Sequence, residues 1–262
     1  MTDRFRRQII STMLLGLIPS MTAWSAPRGR RALAEGPRVS ADPAVVQSGL
    51  GARWQAAMSR DLGWAAPITA LASGLILDQL EQGQTDAGLF LSHPKADALD
   101  KQGLIYERHA LARTEVVLLG PTEDLAGIQS ETDAGRALSQ VIAAAGAGQA
   151  RWAAPEEGSS LSALADQLTN GLARKGLGNS PTRTNTAPYS LTTLAQMTGH
   201  TPPAGTRIWR LNDPRLSLEL QVALSFRSRH PAGNLLVNWL QRPLAMSIVS
   251  KLHPAWQRLG KG

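Results

Sequence analysis

The sequence predicts an α/β fold in which mixed sheets are flanked by helices. Two observations carry this. Short β-branched or apolar runs, bounded by Gly, Pro or polar clusters, alternate with stretches of helical periodicity along the whole chain. The chain is also long enough, at 262 residues, for two lobes rather than one small domain. Its 43% hydrophobic and 18% charged residues exclude a disordered or collagen-like polymer.

From Ser48 onward, Leu50, Trp54, Ala57, Met58 and Leu62 share one face of an amphipathic helix. Trp64 to Leu71 reads as a short strand and loop, and Gly74 to Gly83 as a helix closed by glycine. The run Thr85–Leu91 (TDAGLFL) has the continuous apolar character of a buried parallel strand, followed by a short helix from Lys95. Thr114 to Pro121 is the clearest strand, β-branched and stopped by Gly-Pro. An Ala-rich helix follows at Thr132–Gly146, then a short strand at Arg151-Trp152. A helix at Ser160–Lys175 runs into a polar loop, GLGNSPTRTNTAP. Leu191–Met197 is expected as a short helix, Thr206–Leu211 and Leu218–Phe226 as strands. The last helical region begins at His230-Pro and is interrupted at Pro243.

The net charge of +7 is concentrated at the start. Residues 1–34 hold six arginines against Asp3, leaving only +2 on the other 228 residues. With no basic run interleaved with aromatics and no finger-type spacing, nucleic acid is excluded as a partner. The opening segment has the form of an export signal: RFRR, then the apolar stretch IISTMLLGLI, then Pro19. Arg6-Arg7 resembles a twin-arginine signal, and Ala32-Leu33-Ala34 offers a small-x-small cleavage site after Ala34. The apolar stretch is shorter than the ~20 residues that cross a bilayer, so no membrane insertion of the mature chain is expected. The chain has no cysteine, which removes disulfides, thiol catalysis and thiolate metal sites.

The five histidines, His93, His109, His200, His230 and His253, fall in no metal-ligand spacing and are expected to cap helices or face solvent. Ser92-His-Pro-Lys95 matches Ser-x-x-Lys but has no partner motif, and neither a nucleophile elbow nor a Walker loop is present. No enzyme, metal or cofactor is therefore expected. The six tryptophans after residue 34 are scattered and read as packing residues.

Several short segments together resemble the tungstate-binding protein of bacterial tungstate importers, within the periplasmic binding protein type II superfamily. Gln82-Gly-Gln-Thr-Asp-Ala-Gly-Leu-Phe-Leu-Ser-His-Pro94 is similar to that family's RGDADVLLVHAP, and Val116–Leu119 with Gly120-Pro121 to its FVIVGP. Tyr189-Ser-Leu-Thr192 resembles YTLT, and Asn212-Asp-Pro-Arg-Leu216 resembles GDPRL. His230-Pro, Asn234 and Asn238-Trp-Leu-Gln-Arg-Pro243 resemble the closing HP…N…WLTSP. The resemblance implies a monomeric periplasmic carrier with one lobe at 35–113 plus 220–262 and the other at 114–219. A small solute would be held in a cleft that closes by hinge motion, and an ABC permease would receive it. Ser73, Gly74, Gly158, Ser159, Ser160 and Tyr189 become candidate ligand contacts.

The family's oxyanion-binding loops depart here. Its hydroxyl run TTTS falls on Ala41-Asp42-Pro43-Ala44, and the arginine of SRGDDSGTH falls on Ala154. An arginine's paired, charge-assisted hydrogen bonds have no counterpart in a methyl group. Asp42, Glu156 and Glu157 add negative charge at the same place. At Trp152–Leu164 (WAAPEEGSSLSAL), Pro155 and two acids suit an ordinary helix start. A start at Ser159 or Ser160 would instead leave Gly158 close to a ligand. Three readings stay open at this point: a plain capped helix, a retained oxyanion, or an altered ligand that is neutral or cationic. The alternative role is a binding-protein fold that has lost transport and serves as a periplasmic interaction, sensing or assembly factor.

Overall fold

The computed structural model describes residues 36–64, 66–174 and 187–259. The expected export signal and its cleavage site, and residues 176–186 of the expected polar loop, lie outside these residues. The helix expected over Ser160–Lys175 ends earlier, at Thr169, where Asn170 takes a left-handed conformation (φ 52°).

The first sheet is mixed. Strand β1 (Val39–Ala41) pairs in parallel with β2 (Ile68–Ala70) and with β3 (Ala87–Leu91). Strand β8 (Ser217–Ser225) runs antiparallel to β3 on one side and to the first part of β4 (Ile105–Pro121) on the other. Strand β9 (Gln257–Arg258) adds to β4 at Ala112 and Arg113. The second sheet is built on the far end of the same β4. Val116–Leu119 pair antiparallel with β6 (Tyr189–Thr193), and Leu118–Pro121 with β7 (Thr206–Trp209). Strand β5 (Trp152–Ala153) lies parallel to β6. Partners change between Glu115, opposite Ser217, and Val116, opposite Thr193, so one strand belongs to both sheets.

The sheets are mixed, as expected: pairing is parallel among β1–β3 and between β5 and β6, and antiparallel in the other strand pairs. Two expectations along the strands are corrected. The strand expected from Thr114 begins at Ile105, because its first part has no clean alternation. Its register breaks between Tyr106 and His109 and again between Ala110 and Ala112, and Glu107 takes a φ of 50°. Leu191–Met197 is not a helix. Its first residues finish β6, where Tyr189, Leu191 and Thr193 are buried and Ser190 and Thr192 half-buried. Pairing to β4 and β5 on both sides decides the conformation there.

Helices cover the sheets. They are α1 (Pro43–Gln47), α2 (Leu50–Leu62), α3 (Ser73–Gln82), α4 (Pro94–Lys101), α5 (Ala134–Gly146), α6 (Ser160–Thr169), α7 (Gly233–Leu240) and α8 (Pro243–Ser250). The buried face of α2 is Leu50, Gly51, Trp54, Ala57 and Met58, four of the five residues its periodicity predicts with Gly51 added, while Leu62 is half-buried. Polar starts are capped by side chains. Asp133 accepts from Arg136 N at the head of α5, and His93 Nδ1 accepts from Lys95 N at the head of α4. Five of the six described tryptophans are buried, and three tie distant parts of the chain together. Trp54 Nε1 donates to Ala245 O, Trp239 Nε1 to Asp61 Oδ2, and Trp256 Nε1 to Ser48 Oγ. The beginning and the end of the chain thus share one core around the first sheet. Among the described residues no helix is long and apolar enough to cross a membrane.

Candidate functional site

The site lies where the carboxyl ends of β1 and β3 meet the N-termini of α3 and α6. Backbone amides at such places are the donors available to a ligand. Leaving β1, Asp42 caps α1: its Oδ1 accepts from Ala44 N at 2.9 Å, and its own N–H donates to Leu89 O at 2.8 Å. Its second oxygen, Oδ2, accepts from Ser73 Oγ at 2.6 Å. Ser73 Oγ in turn accepts from Leu91 N at 3.0 Å. Asp42 and Ser73 are both buried.

Helix α6 approaches from the second sheet. Gly158, at φ 76°, closes a turn in which Ser159 N donates to Glu156 O. Ser159 Oγ donates to Glu156 O at 2.6 Å and accepts from Ser162 N at 3.0 Å, capping the helix. The helix therefore starts at Ser160, after the acids rather than with them. Two bonds join the halves: Gly74 N donates to Gly158 O at 2.8 Å, and the buried Ser160 Oγ donates to Leu91 O at 2.9 Å. A Cβ on Gly74 would collide with Gly158 O, so only glycine permits this approach.

Between these contacts lies a cavity of about 200 Å³. Asp42, Pro43, Ala72 and Leu91 line it from the first half, and Glu156, Ser159, Ser160, Leu161, Thr192 and Gln196 from the second. Two carboxylates face it, and no Lys, Arg or His stands in its lining. The amide oxygen of Gln196 accepts from Thr193 N and Thr193 Oγ1, each at 3.2 Å, which fixes the side chain at the cavity wall. On the other flank of α6, Arg108 and Arg215 border a separate cavity, and both guanidinium groups are engaged. Arg108 donates to Asp97 Oδ1 and Gln221 Oε1, and Arg215 to Asp213 and Asp133. The Arg215 guanidinium holds the Asp213 carboxyl well below the usual carboxylate range.

Of the candidate contacts, Asp42, Glu156, Ser159 and Ser160 meet at this cavity, with Ser73, Gly74 and Gly158 immediately behind it. Glu157 instead borders a separate pocket with Ala154, Ser162 and Asp166. Tyr189 is buried in the second sheet, its ring against Gly120 and its hydroxyl 3.5 Å from Glu123 O. Thr192 and Gln196 were missed because a helix was expected there. The alternation in Tyr-Ser-Leu-Thr-Thr is the signal that would have placed Thr192 on the open face of a strand.

Burial pushes the Asp42 carboxyl above its ordinary pKa; the Ser73 and Ala44 donors pull it back, and the Glu156 charge raises it further. An acid whose folded pKa is raised stabilises the fold fully below its unfolded pKa, about pH 4, and loses that contribution as pH rises through the folded value. The native chain is therefore expected to lose stability relative to Asp42→Asn as the pH is raised from about 4. Melting curves of both proteins over rising pH check this, and parallel curves would contradict it.

Residues 48–251 match the sequence pattern of the bacterial extracellular solute-binding proteins. The chain belongs to this family. Among curated proteins none matches the chain. Solved structures similar to this solute-binding protein include a tungstate ABC transporter protein from Geobacter sulfurreducens. It is 18% identical with a TM-score of 0.62, over 82% of this chain and 97% of that one. The tungstate-binding protein TupA of Desulfovibrio alaskensis is also 18% identical, with a TM-score of 0.61 over 87% and 100%. A periplasmic protein provisionally described as metal-binding is 14% identical, with a TM-score of 0.67 over 86% and 97%. At these identities the likeness shows the fold alone: the periplasmic binding protein type II fold.

Proposed function

We propose that this solute-binding protein is the ligand carrier of an ABC-type importer, acting in the periplasm after export through its first 34 residues. It is a non-enzymatic monomer. Its lobes, 35–113 plus 220–262 and 114–219, close around a small solute and present it to a membrane permease. One observation carries the reading: a polar cavity lies between the two halves of the fold and is lined by both. The tungstate-named neighbours support the importer role.

The ligand is a different matter. A carboxylate ~4 Å from a bound anion costs about 1 kcal/mol in water and up to ~4 kcal/mol at an effective dielectric of 20. With Asp42 and Glu156 both on the cavity and no cationic side chain in its lining, a neutral polar or cationic solute fits better than a bare dianion.

The test is a thermal-shift screen of the mature chain across oxyanions, amines, amino acids, polyols and divalent metals. A true ligand at 100 times its Kd adds about 2.7 kcal/mol of stability. The expected result is a raised melting temperature with a neutral or cationic solute, accompanied by compaction in small-angle scattering. No shift with any solute class would reject the carrier reading in favour of an interaction, sensing or assembly role.

A further inference from the structure

We propose that the carboxylate of Asp42 is a built-in anion, seated where the N-termini of α1 and α3 converge, and that it is the residue that excludes small oxyanions from the cleft. The inference deepens the proposed solute-carrier reading and rests on it for the identity of the cleft.

An anion seated between α1 and α3, in the place of the Asp42 side chain, would need the Ala44 and Gly74 amides and the Ser73 hydroxyl, which lie behind the cavity lining at these helix starts. Ala44 N and Ser73 Oγ already donate to the two oxygens of Asp42, at 2.9 and 2.6 Å. Gly74 N donates to Gly158 O. From α6, Ser160 Oγ donates to Leu91 O, and Ser159 Oγ to Glu156 O. Each of these donors is thus engaged by an acceptor of the chain itself. Asp42 is held by its own backbone: its N–H bonds Leu89 O, and its side chain caps α1. It cannot swing aside without uncapping the helix and leaving the Ser73 hydroxyl unpaired in a buried position. A visiting dianion would meet both a filled seat and a fixed negative charge, with Glu156 adding to the repulsion at the cavity wall.

The prediction is a gain of binding. In Asp42→Ser the shorter side chain still caps α1, as serine does well, while vacating the seat and removing the charge. Asp42→Asn keeps the cap and the volume and removes only the charge, and it guards against a serine variant that fails to fold. Equilibrium dialysis with tungstate, on native and variant chains whose circular dichroism and melting confirm folding, reads the result. Asp42→Ser is expected to bind tungstate at least ten-fold more tightly than the native chain, with a smaller gain for Asp42→Asn. Folded variants that bind no more tightly than the native chain would overturn the inference. So would a native chain that binds tungstate as tightly as Asp42→Ser, but that result would leave the carrier reading standing. A gain in the variants, with a native chain silent toward every solute class, would instead reject the carrier reading and leave the role of Asp42 intact.

Discussion

Replacing Trp54 by alanine is expected to destabilise the protein by about 3–5 kcal/mol, the cost of deleting a large, fully buried aromatic. For a chain of this size that lowers the melting temperature by roughly 10 °C. Trp54 is wholly buried on the inner face of α2, and its indole N–H bonds Ala245 O at 3.1 Å. It therefore joins the opening of the chain to α8, 191 positions away. Truncation leaves a cavity and removes the hydrogen bond between the two helices at once. Scanning calorimetry measures the loss; a change below about 1 kcal/mol, the level of an ordinary surface substitution, would show that α2 and α8 do not share one core.

Gly74→Val is expected to break the contact between the two halves at a cost of about 1–3 kcal/mol, the range for overpacking a tight site. The collision is with the backbone oxygen of Gly158, which no rotamer change can move. Gly158 sits at φ 76° in a turn that is closed by Ser159 N donating to Glu156 O at 3.1 Å. The two halves should separate, raising the radius of gyration in small-angle scattering and removing any ligand-induced thermal shift. A variant with native dimensions and an unchanged thermal shift would contradict this account of the closure.

These two positions show what the sequence makes legible. The buried face of α2 is plain because a helix exposes its packing as a local period, and four of its five predicted core residues, Trp54 among them, are buried. Gly74 stands out as the glycine at a helix start, yet its partner Gly158 lies 84 residues on, and no local pattern says that the two backbones touch. The cavity was legible to the same degree. Asp42, Glu156, Ser159 and Ser160 follow from the helix starts and the family resemblance. Thr192 and Gln196 depend on β6 pairing with strands distant in sequence, which overrode a local helical reading. The doubled length of β4 was hidden for a related reason. Its bulged, charged first half becomes a strand only because β8 runs beside it.

Calorimetric titration of the native chain with tungstate at neutral pH tests most directly whether this cleft excludes oxyanions. The structure leads us to expect no binding heat up to millimolar tungstate, because the carboxylate of Asp42 already engages the donors that the anion would need. Saturable micromolar binding, abolished by Ser160→Ala, would contradict it.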